Sequence, residues 1–213
     1  MTPSARELAA ALERCPLVAI LRGVRPEEAE AVADAIVGAG FAMVEVPLNS
    51  PAPFESIARL ARRYGPEVLI GAGTVLQAAQ VEAVAAAGGR LIVSPNVDAT
   101  VIRASAQRQM VCLPGYGTPT EAFAALAAGA TGLKLFPAEA ASPAVLKAQR
   151  AVLPPDLAVL VVGGVSADNI GEWFAAGAAG AGIGGSLYRP GRTAQEVGAI
   201  AEGLVRAARA ARE

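Results

Sequence analysis

The chain is 213 residues long, 54% apolar, with a formal net charge of −1. That length supports one sizeable core, and the near-neutral balance excludes a strongly basic nucleic-acid surface or a polybasic membrane anchor. Histidine is absent, which excludes a Ser-His-Asp triad, a Cys-His pair and a histidine general base, and removes the commonest metal ligand.

Acid–base chemistry must therefore fall to carboxylate, lysine, tyrosine or water. No apolar run approaches the roughly 20 residues that span a bilayer. The opening stretch, Met1 to Leu8, carries acid early and lacks a signal-peptide apolar core, so a cytoplasmic location is expected. Cys15 and Cys112 have no metal-like spacing, and Cys112, in an apolar run, reads as a small core hydrophobe.

In chain order, residues 4–14 read as an amphipathic opening helix with Leu8 and Leu12 on one face. A strand–helix alternation follows and continues to the end. Strands are predicted at 17–21, 43–46, 68–71, 91–94, 110–113, 133–135, 158–162 and a weak, Gly-rich 180–183. Helices are predicted at 26–39, 53–64, 77–87, 98–108, 119–128, 143–151, 167–176 and 193–211. Continuous apolar strands, each followed by a helix ending near Gly, indicate a parallel sheet covered on both sides. Eight such units argue for one α/β domain over 1–213, a closed (β/α)8 TIM barrel with an extra N-terminal helix. The competing open doubly wound sheet usually has fewer strands and a G-x-G-x-x-G turn that is missing here.

Barrel enzymes place catalytic groups at the C-terminal strand ends. Lys134 stands there among Leu133, Leu135 and Phe136, and Lys147 is the only other lysine. Burial would lower its pKa and make a neutral amine nucleophile; the alternative is a strand-end lysine snorkelling to solvent. Glu45, between Val44 and Val46, reads as a proton shuttle beside Lys134 or as one half of an ion pair with Arg22. Arg22 in turn reads as a bidentate anion ligand or as that partner. Thr74 reads as a donor to a carboxylate or as a cap of the following helix. Gly163-Gly164 after the seventh strand and Gly184-Gly185-Ser186 after the eighth read as plain tight turns or as the phosphate-site layout of barrels, where backbone N–H groups approach phosphate oxygens, and two Gly pairs on the two final loops favour the latter.

These residues recur in order as Ile20-Leu21-Arg22-Gly23, Val44-Glu45-Val46-Pro47-Leu48, Gly71-Ala72-Gly73-Thr74-Val75, Ser94-Pro95-Asn96, Pro114-Gly115, Leu133-Lys134-Leu135-Phe136-Pro137 and Gly163-Gly164-Val165. Over roughly residues 16–190 the chain resembles the 2-keto-3-deoxy-6-phosphogluconate / 2-keto-3-deoxy-6-phosphogalactonate (KDPG/KDPGal) aldolases, class I enzymes on a small (β/α)8 barrel. The resemblance implies Lys134 as the Schiff-base lysine and Glu45 as general acid/base. It implies Arg22, Thr74, Pro95, Phe136 and Val162 along the substrate, and Gly163, Gly164, Gly185 and Ser186 at its phosphate. It implies no metal and no cofactor, pyruvate and a phosphorylated keto-deoxy sugar acid as ligands, and a homotrimer.

The galactonate branch is favoured. The gluconate enzymes carry a Thr-Arg pair where this chain has Leu48-Asn49-Ser50-Pro51, and a Thr where it has Val162, near the carbon at which the two substrates differ. The ending Leu187-Tyr188-Arg189 also fits that branch, whereas Gly185-Ser186 is closer to the gluconate pattern. The rival readings are the same reaction on the gluconate epimer or on 4-hydroxy-2-oxoglutarate, a metal-dependent barrel enzyme, and a non-catalytic phosphosugar-binding barrel. Apolar surface at Trp173, Phe174 or the opening helix reads as either an interface or helix packing.

Overall fold

The computed structural model of the chain describes residues 2–212. Its strands are β1 (Leu17–Ile20), β2 (Met43–Pro47), β3 (Leu69–Gly73), β4 (Leu91–Val93), β5 (Val111–Leu113), β6 (Gly115–Tyr116), β7 (Leu133–Leu135), β8 (Val159–Val162) and β9 (Gly180–Ile183). All pairings are parallel, in the order β5-β4-β3-β2-β1-β9-β8-β7-β6. The fifth predicted strand is β5, and an additional short strand, β6, follows it beyond Pro114, which has no N–H to give to a ladder. β5 pairs with β4, and β6 pairs with β7. The seam is bridged all the same: the Lys134 N–H donates to the Pro114 carbonyl at 2.9 Å, and Thr131 and Gly132 donate to Cys112. β5 and β6 together form one stave, and the (β/α)8 barrel closes.

Eight helices cover the staves: α2 (Pro26–Gly38), α3 (Pro53–Tyr64), α4 (Ala78–Ala86), α5 (Ala99–Gln107), α6 (Pro119–Ala128), α7 (Pro143–Arg150), α8 (Ile170–Ala175) and α9 (Ala194–Ala210). Their starts follow local chemistry. Proline opens α2, α3, α6 and α7, where its missing N–H is no loss. Thr118–Glu121 and Thr193–Glu196 form capping boxes for α6 and α9. The α8 segment is shorter than its pattern predicts. Its first polar residues are diverted to the preceding loop: Ser166 N–H donates to Asn169, whose side-chain amide donates to the Gly164 carbonyl at 2.9 Å.

The opening helix, α1 (Pro3–Arg14), closes the N-terminal end of the barrel with Leu8 and Leu12 buried. It comes so close that a Cβ at Gly180 would lie 2.9 Å from the Leu12 side chain and 2.6 Å from the Pro16 carbonyl. That contact explains the glycine at the start of the eighth stave, and the Val162 side chain, 2.7 Å from where a Cβ on Gly182 would sit, explains the second. Arg90 ties the same end together, pairing with Glu7 of α1 and donating to the Gly65 and Val68 carbonyls. Trp173 is buried and Phe174 packs against the core, so both belong to helix packing. Both cysteines are buried and free, and burial pushes the Cys112 thiol up to about 12. No helix among the described residues is long and apolar enough to cross a membrane.

Candidate active site

Successive residues of a strand point to opposite faces, so Leu133 and Leu135 face the helices while Lys134 faces the barrel axis. The same alternation sends Val44 and Val46 outward and Glu45 inward. Register sets their heights: Glu45 pairs with Ile20 and Gly71, and Lys134 with Gly115 and Leu160. The result is a small void of about 10 Å³ bounded by Glu45, Lys134, Val18, Ile20, Leu160 and Val162, with Val93, Leu113 and Gly182. That volume is on the order of the room a single water needs. A lysine and a carboxylate thus share an otherwise apolar chamber.

Both charges are desolvated, with Glu45 2% and Lys134 7% exposed. Burial raises Glu45 to about 7, against the opposing pull of Lys134 and Arg22. Burial lowers the Lys134 pKa, Glu45 opposes that shift, and Arg22 adds to it. The Lys134 Nζ lies 4.5 Å from the Phe136 ring centroid, a contact that holds the amine over the ring face. The Glu45 Oε2 has no hydrogen-bond partner among the described residues. Such an orphaned buried oxygen, in a chamber that also holds an amine, is rare enough to need an explanation.

Gly73 is what makes room for it. A Cβ built on Gly73 would lie 1.4 Å from the Glu45 Oε2, closer than any non-bonded contact allows. One residue on, Thr74 adopts a left-handed backbone at φ 56°, a strained state that persists only where its surroundings enforce it.

Above the chamber opens a cleft of about 530 Å³ that shares Ile20, Val162 and Gly182 with it. Arg22, Phe136, Gly163, Gly164, Gly185 and Ser186 line this cleft. The structure thus brings together nine of the eleven residues singled out from the sequence, in two connected spaces. Thr74 and Pro95 stand at the ends of β3 and β4 and line neither space.

Two of the alternatives weighed for single residues fall. Arg22 forms no ion pair with Glu45 among the described residues; it donates to the Asn49 side chain at 3.3 Å. Thr74 does not cap α4, whose N-cap position is held by Gln77.

The structure also adds residues. Ser50 Oγ accepts from the Gly23 N–H at 2.9 Å, so the loop after β2 pins the loop that carries Arg22. Arg189 and Arg192 donate to the Gly185 carbonyl, and Arg192 also to those of Ser186 and Leu187, which turns the last loop's N–H groups away from these guanidiniums. Glu139, on the short 3-10 turn Ala138–Ala140, joins the cleft wall. Its position three residues after Phe136, directly behind the lysine strand, was the available signal. Among the described residues no three His, Cys, Asp or Glu side chains converge to hold a metal ion.

A family model described as KDPG and KHG aldolase matches residues 8–201. A protein of Rhizobium meliloti described as a probable 2-dehydro-3-deoxy-6-phosphogalactonate aldolase is 54% identical over 85% of the chain and 86% of its own length. The 2-dehydro-3-deoxy-6-phosphogalactonate aldolase of Escherichia coli is 49% identical, covering 93% of the chain and 97% of its own. Among solved structures, one described as native KDPGal superposes with a TM-score of 0.92 at 49% identity, over 93% of this chain and 96% of that one. A KDPG aldolase from Legionella pneumophila with pyruvate captured as a covalent carbinolamine superposes with a TM-score of 0.80 at 25% identity, over 92% and 97%.

Proposed function

The chain belongs to the KDPG and KHG aldolase family, and on that premise we propose that it is a class I aldolase that reversibly cleaves 2-dehydro-3-deoxy-6-phosphogalactonate to pyruvate and D-glyceraldehyde 3-phosphate. The observation that carries this reading is a buried lysine of lowered pKa and a carboxylate raised to about 7, in one chamber beneath a glycine-lined cleft. The lysine supplies the covalent step and the carboxylate the proton transfers.

In this reading the neutral Lys134 amine attacks the C2 ketone, and the carbinolamine takes a proton from Glu45 on its hydroxyl and loses water to give an iminium, which leaves Glu45 as the carboxylate. Glu45 takes the C4 hydroxyl proton. The C3–C4 bond then breaks, with its electron pair flowing into the iminium to leave the pyruvate enamine. Glyceraldehyde 3-phosphate departs as the aldehyde. Glu45 returns its proton to C3, and water hydrolyses the imine to free pyruvate and Lys134. One carboxylate with a pKa near neutrality serves both directions of proton transfer. Arg22, steadied by Asn49, meets an anionic group of the substrate, and Phe136 and Val162 form its walls. The glycine pair Gly163-Gly164, with Gly185 and Ser186, receives the phosphate.

The galactonate assignment draws support from the two relatives that carry that name at 49–54% identity, and from Val162, an apolar wall where the gluconate enzymes have a hydroxyl. We place the enzyme in the cytoplasm, as one barrel domain in a homotrimer. Phe54, Leu76 and Phe123 are large apolar side chains left exposed that a second copy would cover.

The deciding assay offers both epimers at equal concentration. The expected result is a higher kcat/KM for the galactonate epimer, and a clear preference for the gluconate epimer would overturn the substrate assignment. A second test isolates Glu45 without touching it. Gly73→Ala places a methyl group on the Oε2 position, so Glu45 must move. Displacing an acid/base group by about an ångström costs on the order of 10²-fold in rate, and a Gly73→Ala enzyme with normal kcat would take Glu45 out of the mechanism.

A further inference from the structure

The cleft's phosphate end already contains an anion of the protein's own. Glu139 lines the same cavity as Gly163, Gly164, Arg22 and Arg189. Its carboxylate lies against the glycine pair: a Cβ on Gly163 would be 2.0 Å from the Glu139 Oε2 and 2.8 Å from its Cδ, and a Cβ on Gly164 would be 2.9 Å from its Cγ. Both glycines have positive φ, 115° and 64°, so their lack of a side chain serves the backbone turn and the carboxylate at once. Yet no hydrogen bond or ion pair holds the Glu139 carboxylate among the described residues. It is an exposed, unpinned anion resting where guanidiniums and glycine N–H groups gather.

We propose that Glu139 is a tethered competitor for the phosphate end of the cleft, and that it sets the affinity of this end for phosphate and phosphomonoesters. The proposal rests on the reading of Gly163, Gly164, Gly185 and Ser186 as the phosphate site. An arriving phosphate meets a like charge at close range and must push the carboxylate aside. A ligand also joined to Lys134 through its ketone tolerates that penalty. Free inorganic phosphate, anchored at this end alone, does not, and it is kept off the enzyme. The same repulsion favours departure of the phosphorylated aldehyde once the C3–C4 bond is broken.

The test measures the affinity of the full-length enzyme for inorganic phosphate, by direct titration and as competition against the phosphorylated substrate. Wild type is compared with Glu139→Gln, which keeps the shape and removes the charge, and with Glu139→Asp, which draws the charge back from the glycines. A unit charge a few ångströms from a phosphate in a solvent-open cleft changes its affinity by roughly five- to tenfold. Glu139→Gln is therefore expected to bind phosphate that much more tightly, with Glu139→Asp between. A purely structural role for Glu139 predicts the opposite direction, a weaker site. Equal or weaker phosphate binding by Glu139→Gln, with competition intact in wild type, would overturn the role of Glu139 and leave the phosphate site standing. Phosphate that fails to compete in wild type and in both variants would overturn the phosphate site itself, and this proposal with it.

Discussion

Lys134→Ala is expected to lose all imine formation and to lower cleavage by on the order of 10⁵-fold, the scale at which removing a covalent nucleophile leaves only binding and field effects. The measurement is borohydride trapping with pyruvate, read by peptide mass spectrometry. The wild type should carry a stable pyruvyl adduct at Lys134, and the variant none. Lys134→Arg sharpens the test, because a guanidinium puts a fixed charge beside Glu45 and is never a neutral nucleophile. If the arginine enzyme retained turnover, Lys134 would be acting as a fixed charge, and the Schiff-base mechanism would have to go. Circular dichroism and thermal melting check that each variant still folds, since alanine leaves a space beside the buried Glu45 and arginine brings a larger, permanently charged group into the chamber. The adduct also separates the enzyme from a non-catalytic phosphosugar-binding barrel, which would bind ligand without a trappable imine.

The second large effect is expected at Glu45. Glu45→Gln should slow the proton-transfer steps by roughly 10²–10⁴-fold while still permitting some imine formation, since the amine is untouched. The pH dependence carries the signature. Burial lifts Glu45 from the ordinary carboxylate range to about 7. The wild-type cleavage rate should therefore rise through an inflection near pH 7 as the base form is populated, and the inflection should be missing from Glu45→Gln. An unchanged inflection would assign that titration to another group.

Stability moves with the same shift. A carboxylate whose folded pKa is raised lets the folded state bind the extra proton between the unfolded value of 4.5 and about 7. Its burial therefore carries no electrostatic penalty below that window and the full penalty above it. Glu45→Gln should gain thermal stability relative to wild type as pH rises from 5 to 8. A gain that is independent of pH would contradict ionisation of Glu45 in the folded chain.

The architecture was legible because its signals are local and repeated. An apolar run of strand length followed by a helix, eight times over, with proline or a capping threonine at many helix starts and glycine at many ends, admits few packings other than a parallel barrel. The lysine was legible for a related reason: a charge inside an apolar strand is conspicuous, and so was Glu45. Three features were not. The fifth stave breaks at Pro114, which has no N–H to give to a ladder, and its two halves pair with different neighbours, which only the assembled sheet decides. The shortening of α8 arises because Asn169 and Ser166 are drawn to the Gly164 loop. The placement of Glu139 against Gly163 and Gly164 joins residues from different staves.

The sequence by itself determined the alternation, the inward-facing charges and the glycine loops, since each depends on chain neighbours and on the two-residue period of a strand. Only the tertiary structure decided which of those charges meet. It put Glu45 and Lys134 in one chamber, paired Arg22 with Asn49 rather than with Glu45, left Thr74 and Pro95 outside the lining of both spaces, and reserved the space at Gly73 for a carboxylate oxygen. The physical reason is that strand direction fixes where a side chain points. The register between staves and the closure of the barrel fix what it points at, and these emerge from the packing of the whole sheet.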